Sequence, residues 1–225
     1  MGSVIGDILP EAIAVAISPI PIIAVVLLLS TTKGKGKAFG FLIGWLVGLG
    51  IVGTVVLLVA DPAGASTDDG PATWVGWLIL ALGVVLILLG IKGFLGRPKD
   101  GVEPPMPKWM AAIDQFGFGK CLGIGFILAA VNPKNLALTV AAAAAIGAAG
   151  LSTGSSFAVL GVFVVLGTIG IALPIAIYLL AGTNAVNILN DLRHWMAIHN
   201  PAIMSVLFVL IGAKLIGDGV SKLLG

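Results

Sequence analysis

The chain has 225 residues, of which 59% are hydrophobic and only 10% charged, with a mean hydropathy of +1.16. A soluble domain is about 45–50% apolar and about 25% charged, so this chain lacks the polar surface to coat a water-soluble fold and reads as an integral membrane protein. The net charge of +2 gives no basis for nucleic-acid binding, and the single cysteine, Cys121, excludes an internal disulfide and a Cys-rich metal site.

A helix needs about 20 apolar residues to span a bilayer. Six segments qualify, at about 5–30, 38–60, 73–95, 118–147, 155–181 and 201–224. The expected fold class is therefore all-α integral membrane, with six transmembrane helices. The first segment mimics a signal peptide through "AVA" at 14–16. It has no Lys or Arg at its start, however, and carries Asp7 and Glu11 where a basic region belongs, so it is expected to be retained. Its later part, "AISPIPIIAVVLLLS" (16–30), contains Pro19 and Pro21 in the middle of a span.

A basic hairpin, "STTKGKGK" (30–37), leads into the second span, where "GFLIGWLVGLGIVG" (40–53) spaces small residues for close helix contact. Packing within one chain is favoured there over a dimer interface. An acidic connection, "DPAGASTDDGPA" (61–72), precedes the third span, and the Pro-rich "GRPKDGVEPPMPK" (96–108) follows it. In "MPKWMAAIDQF" the residues Met106, Trp109, Met110, Ile113 and Phe116 form one stripe, which predicts a membrane-anchoring interfacial helix.

The fourth span repeats the oddity of the first: "LAAVNPKNLALTVAAAA" (128–144) has Pro133 flanked by Asn132, Lys134 and Asn135. Pro174 predicts a simple kink in the fifth span. Before the sixth, "NILNDLRHWMAI" places Ile188, Leu189, Leu192, Trp195 and Met196 on one stripe, predicting a second interfacial helix; Pro201, where the sixth span begins, is less specific. His194 and His199 lie there, but their Trp-containing surroundings favour an interfacial helix over a metal site.

Broken spans at positions one and four divide the chain into halves of three spans, 1–105 and 106–225. An odd number of spans per half inverts the second relative to the first, as in inverted-repeat transporters. Gly44, Gly50 and Gly53 match Gly161, Gly167 and Gly170 at one constant offset, which adds mild support. With six spans, one side holds Lys214 and Lys222. The other collects Lys33, Lys35, Lys37, Lys92, Arg97, Lys99, Lys108, Lys120 and Arg193, and so is expected to be cytoplasmic, with both termini outside.

Proline removes a backbone donor and clashes with the preceding turn, yet it is favoured at the first position of a helix. Ser18-Pro19 and Asn132-Pro133 each fit a cap followed by a leading proline, so each span is expected to be two half-helices. Helix N-termini attract anions, and two that converge would form one central pocket. Lys134 stands as the intramembrane charge, at an insertion cost of about 2.5–3.5 kcal/mol. Glu11 is its candidate protein partner. Otherwise Lys134 reaches water or a substrate anion completes it, a reading favoured over a lysine that only satisfies carbonyls at the break. Thr139 and Thr168 are less specific. No acid–base or nucleophile pair and no Walker A motif appears, so neither enzymatic activity, nor a cofactor, nor a metal site is expected.

The residues that carry a likeness are "SPIPIIAVVLLLSTTKGKGKAFGFLIGWLVG" (18–48), "AVNPKNLAL" (130–138) and "WMAIHNPAIMSVLFVLIGAKLIGDGV" (195–220). Together they resemble the GAP/Sap group, the sulfolipid-1-addressing protein family, within the LysE (lysine exporter) transporter superfamily. The resemblance implies a six-span bacterial plasma-membrane protein that moves a glycolipid or other envelope lipid outward. It implies a substrate site at Ser18, Pro19, Pro21, Asn132, Pro133, Lys134 and Asn135. Read from the residues alone, Glu11 is the candidate coupling residue, since no other proton carrier stands out. "SPIP" stands where lysine-exporter relatives tend to have Pro-Gly-Pro, which favours the lipid branch. The expected function is secondary transport of an anionic or glycosylated lipid, or its headgroup, between the two breaks. The rivals are a LysE-like exporter of amino acids or ions, and a non-transporting accessory of a lipid-export machine. Expected partners are the bilayer, a lipid or lipid-linked substrate, and a homodimer or larger envelope machinery.

Overall fold

A computed structural model describes residues 1–60, 73–96, 107–181 and 185–224. The acidic connection at 61–72, the linker at 97–106 with Arg97, Lys99 and Met106, and residues 182–184 lie outside the described residues. The order of elements is α1 (Gly2–Ala16), α2 (Pro19–Leu29), α3 (Gly34–Ala60), α4 (Thr73–Leu95), a short 3-10 helix (Lys108–Gln115), α5 (Phe118–Ala130), α6 (Pro133–Gly147), α7 (Thr153–Leu180) and α8 (Ala185–Leu224). Every described element is helical.

Four helices, α3, α4, α7 and α8, are long and apolar enough to cross a bilayer. The pairs α1–α2 and α5–α6 qualify together, bent by 50° and 62° at their breaks. The chain is thus a multi-pass membrane protein with four to six candidate spans. Its surface agrees with a lipid solvent. On α3, Phe39, Ile43, Val47, Ile51 and Val55 repeat every four residues and are exposed, while Phe41, Trp45 and Leu49 form the buried face. In water such a stripe would be a large exposed apolar patch; in a bilayer it has a partner.

Small residues decide which helices touch. Along α3 and α5 the contacts run in the same direction. A Cβ added at Gly40, Gly44 or Gly48 would strike Phe118, Leu122 or Phe126 in turn. Along α4 and α8 they run in opposite directions, with Gly76 beside Leu223, Gly83 beside Gly212 and Gly90 beside Phe208. At Gly170 of α7 the added atom would run into the Ala16 carbonyl, at the end of α1. The constant glycine offset marks equivalent packing at one pair of three: Gly53 and Gly170 are both tightly packed, against Leu160 and Ala16. Gly44 and Gly167 are tightly packed, whereas their matches Gly161 and Gly50 face open space.

Two sequence expectations are corrected. First, α8 is one continuous helix of 40 residues, not an interfacial helix followed by a span. Pro201 removes one backbone donor but does not end the helix, and the Ser205 hydroxyl donates to the Pro201 carbonyl at 2.7 Å. Prolines are tolerated in membrane helices where side chains and neighbours satisfy the local backbone. Of the predicted stripe, Leu189 and Met196 are buried while Ile188 and Trp195 are exposed. Second, the stripe at 109–116 faces protein. Met110 and Ile113 are buried, and Trp109, Ile113 and Phe116 line a small apolar void with Leu28, Phe41 and Cys121. The Lys37 ammonium ties this segment to the start of α3 by donating to the Asp114 carbonyl at 2.9 Å.

Candidate functional site: a polar centre where the two breaks meet

The first break has a local cause. Pro19 forces Ser18 toward extended backbone (φ −121°, ψ 94°). Ile17 (φ −83°, ψ 75°) then closes an inverse γ-turn, with the Ser18 amide donating to the Ala16 carbonyl at 3.0 Å. The second break uses the same pre-proline restriction at Asn132 (φ −59°, ψ 121°). There the side chain caps α6, since Asn132 Oδ1 accepts the Lys134 amide at 3.1 Å. The expectation of a matching Ser18 cap is corrected. The Ser18 hydroxyl does not cap α2 but donates to the Val15 carbonyl at 2.7 Å.

The two breaks come together. Lys134, at the start of α6, reaches across to the end of α1. Its ammonium donates to the Ala14 carbonyl (2.6 Å), the Ile17 carbonyl (2.9 Å) and Ser18 Oγ (2.7 Å). Lys134 is 1% exposed. Beside it, Asn135 donates from Nδ2 to the Leu128 carbonyl of α5 at 2.9 Å, and its Oδ1 lies 3.4 Å from Ser18 Oγ. Lys134 therefore serves the broken end of α1 and Asn135 that of α5, from adjacent positions of one helix.

An ammonium has three donors, and all three are used. The expected choice between water and a substrate anion does not describe this state, because the chain's own oxygens complete Lys134. Each hydrogen bond to a charged group contributes about 1.5–3 kcal/mol, so three of them offset an insertion cost of about 2.5–3.5 kcal/mol. The carbonyls also belong to the last turn of α1, where helix dipoles favour a cation.

The helix starts themselves are poor in donors. Pro19 and Pro21 remove two of the first three amides of α2, and at α6 Pro133 has no amide while that of Lys134 is capped. Beside these few amides, the Lys134 ammonium is the formal positive charge where the two breaks meet. Pro19, Pro21 and Pro133 act by shaping the backbone.

Glu11, the candidate protein partner for Lys134, is engaged elsewhere. Glu11 is buried on α1, but its partner is Lys214 of α8, at 2.6 Å; Lys214 also binds Asp218 at 2.8 Å. Sequence reasoning used Lys214 only for topology. Its spacing of four from Asp218 was a readable signal, whereas the link to Glu11, 203 positions away, was not. These residues line a separate open cleft of about 630 Å³. Thr168 Oγ1 donates to the Val164 carbonyl at 2.6 Å, and Thr139 Oγ1 is buried without a partner among the described residues.

The family described as Sap, sulfolipid-1-addressing protein, matches this chain over residues 8–221. No curated protein and no solved structure gives a significant match. The match spans nearly the whole chain, which therefore belongs to the sulfolipid-1-addressing protein family.

Proposed function

We propose that this member of the sulfolipid-1-addressing protein family is a secondary membrane transporter, without enzymatic activity, that exports or flips an anionic or glycosylated envelope lipid or its headgroup. The family description supports a role in lipid export or transport. The observation that carries the mechanism is Lys134, a buried cation that bridges both helix breaks. In this reading the arrangement with the ammonium held by α1 is the closed state. An anionic headgroup competes with those carbonyls for Lys134, and binding it frees the end of α1 to move against α6. Differential affinity for the two arrangements is what couples a ligand to such a motion.

Six spans in two inverted halves, 1–105 and 106–225, are part of this reading. Exchanging the halves turns the α3–α5 contact into α7–α1, and α3–α6 into α7–α2, and both members of each pair occur. The α4–α8 and α3–α7 contacts map onto themselves. The parallel α3–α5 pair and the antiparallel α4–α8 pair also suit spans that alternate in direction.

In proteoliposomes, Lys134→Met is expected to lose lipid transfer while the protein stays monodisperse by gel filtration. Transfer at the wild-type rate would overturn the assignment. A second reading follows from the complete satisfaction of Lys134: the lysine is structural, and the protein delivers lipid to another machine. That reading requires no transfer by the purified wild type and stable co-purification of a larger partner.

A further inference from the structure

The cleft at the end of the bundle that holds both termini plays no part in the proposal for Lys134. It lies between the first part of α1, the end of α6 and the end of α8, with Ile79 of α4 at its wall. Its volume of about 630 Å³ is in the range of small-molecule sites, about 300–1,000 Å³. We propose that this cleft binds the hydroxyl groups of an uncharged sugar, presented free or as a lipid headgroup.

The polar lining selects this chemistry by exclusion. Three carboxylates, Asp7, Glu11 and Asp218, face one ammonium, Lys214, which disfavours an anion. The carboxylates are not grouped for a metal ion: among the described residues no three His, Cys, Asp or Glu side chains are placed to share one. An organic cation at Glu11 Oε2 would crowd the Lys214 ammonium, which sits 2.6 Å from the other oxygen of the same carboxylate.

A neutral hydroxyl fits what is left. Glu11 is 2% exposed, and its Oε2 is buried with no hydrogen-bond partner among the described residues. The described hydrogen bonds of Lys214 use two of its three donors, one to Glu11 Oε1 and one to Asp218 Oδ2. An unpaired acceptor beside a spare donor matches a group that both donates and accepts, and adjacent sugar hydroxyls supply several such groups. The wall is shaped to suit. Ala141 and Ala145 of α6 and Ala148, its C-cap, follow at i, i+4 and i+7, so small side chains leave the space open and give an apolar surface for the C–H face of a pyranose.

The test uses the full chain in phosphatidylcholine nanodiscs, with saturation-transfer NMR of maltose, glucosamine and glucose 6-phosphate. Maltose is expected to bind saturably and more tightly than either charged sugar. Ala148→Phe, at an exposed position of the wall, is expected to weaken maltose at least tenfold, and Ala145→Phe gives a second cleft-filling variant. Doping the discs with a monoglucosyl diacylglycerol separates the two sources. Loss of the maltose signal identifies a lipid headgroup, and its persistence identifies a free sugar; either outcome supports the site. No maltose binding, equal binding to wild type and both variants, or tighter binding of a charged sugar would overturn it. Lipid transfer by Lys134→Met is a separate readout, so the two proposals fail independently.

Discussion

A charge inside an apolar bundle persists only if its donors are used, and this chain uses them in two different ways. Lys134 is enclosed and takes neutral oxygens from a broken helix end. Lys214 is about one-third exposed and takes two carboxylates. The two partners of Lys214 differ in burial, and so should the cost of losing each contact. The Asp218 side chain is 44% exposed and i+4 on the same helix, so Asp218→Asn should change stability by less than about 0.5 kcal/mol. Lys214→Met strands the buried Glu11 carboxylate. A fully buried pair broken this way costs about 3–5 kcal/mol; the open cleft lowers the expectation to about 2 kcal/mol. The double variant Glu11→Gln with Lys214→Met should recover most of that loss. Thermal unfolding of the four proteins in one detergent checks the order, and an Asp218→Asn loss as large as that of Lys214→Met would refute it.

At the scale of elements, contact between helices depends on the absence of side chains at a few glycines. At Gly44 a methyl group would run into the Leu122 carbonyl, and at Gly170 into that of Ala16, and backbone cannot move aside as a side-chain tip can. Gly44→Ala and Gly170→Ala should each destabilise by about 1–3 kcal/mol, the range for overpacking. Gly50→Ala and Gly161→Ala meet nothing within 4 Å and should stay within about 0.5 kcal/mol of wild type. The four positions look alike in sequence, and melting temperatures should separate them two against two. Gly170 adds a functional consequence. Because it seats the last turn of α1, its substitution should also disturb the carbonyls that hold Lys134.

For the whole molecule, the proposed topology puts both termini and the sugar cleft on one side and the Lys35 hairpin on the other. In intact spheroplasts of a Cys121→Ser background, an impermeant maleimide should label Gly2→Cys at once. It should label Lys35→Cys only after permeabilisation. The opposite pattern would invert the orientation, and equal labelling of both would remove the six-span count. Contact between the Lys37 side chain and the Asp114 carbonyl already places the first and third connections together, as alternating spans require.

Composition and apolar run length determined that this is a multi-pass helical membrane protein, because those quantities alone set the solvent a chain can tolerate. The positions of both breaks were legible too. Proline restricts its own residue and the one before it, whatever the rest of the fold does, so Ser18-Pro19 and Asn132-Pro133 mark them locally. The family was legible through the same motifs. What Lys134 binds was not, because its acceptors lie 116 to 120 positions away and are mostly backbone carbonyls, which carry no residue signature. Nor could the sequence tell that Glu11 belongs to Lys214, that Pro201 lies within a continuous helix, or which glycines are packed. Each of these depends on which helix faces lay against one another, and only the tertiary structure decided that.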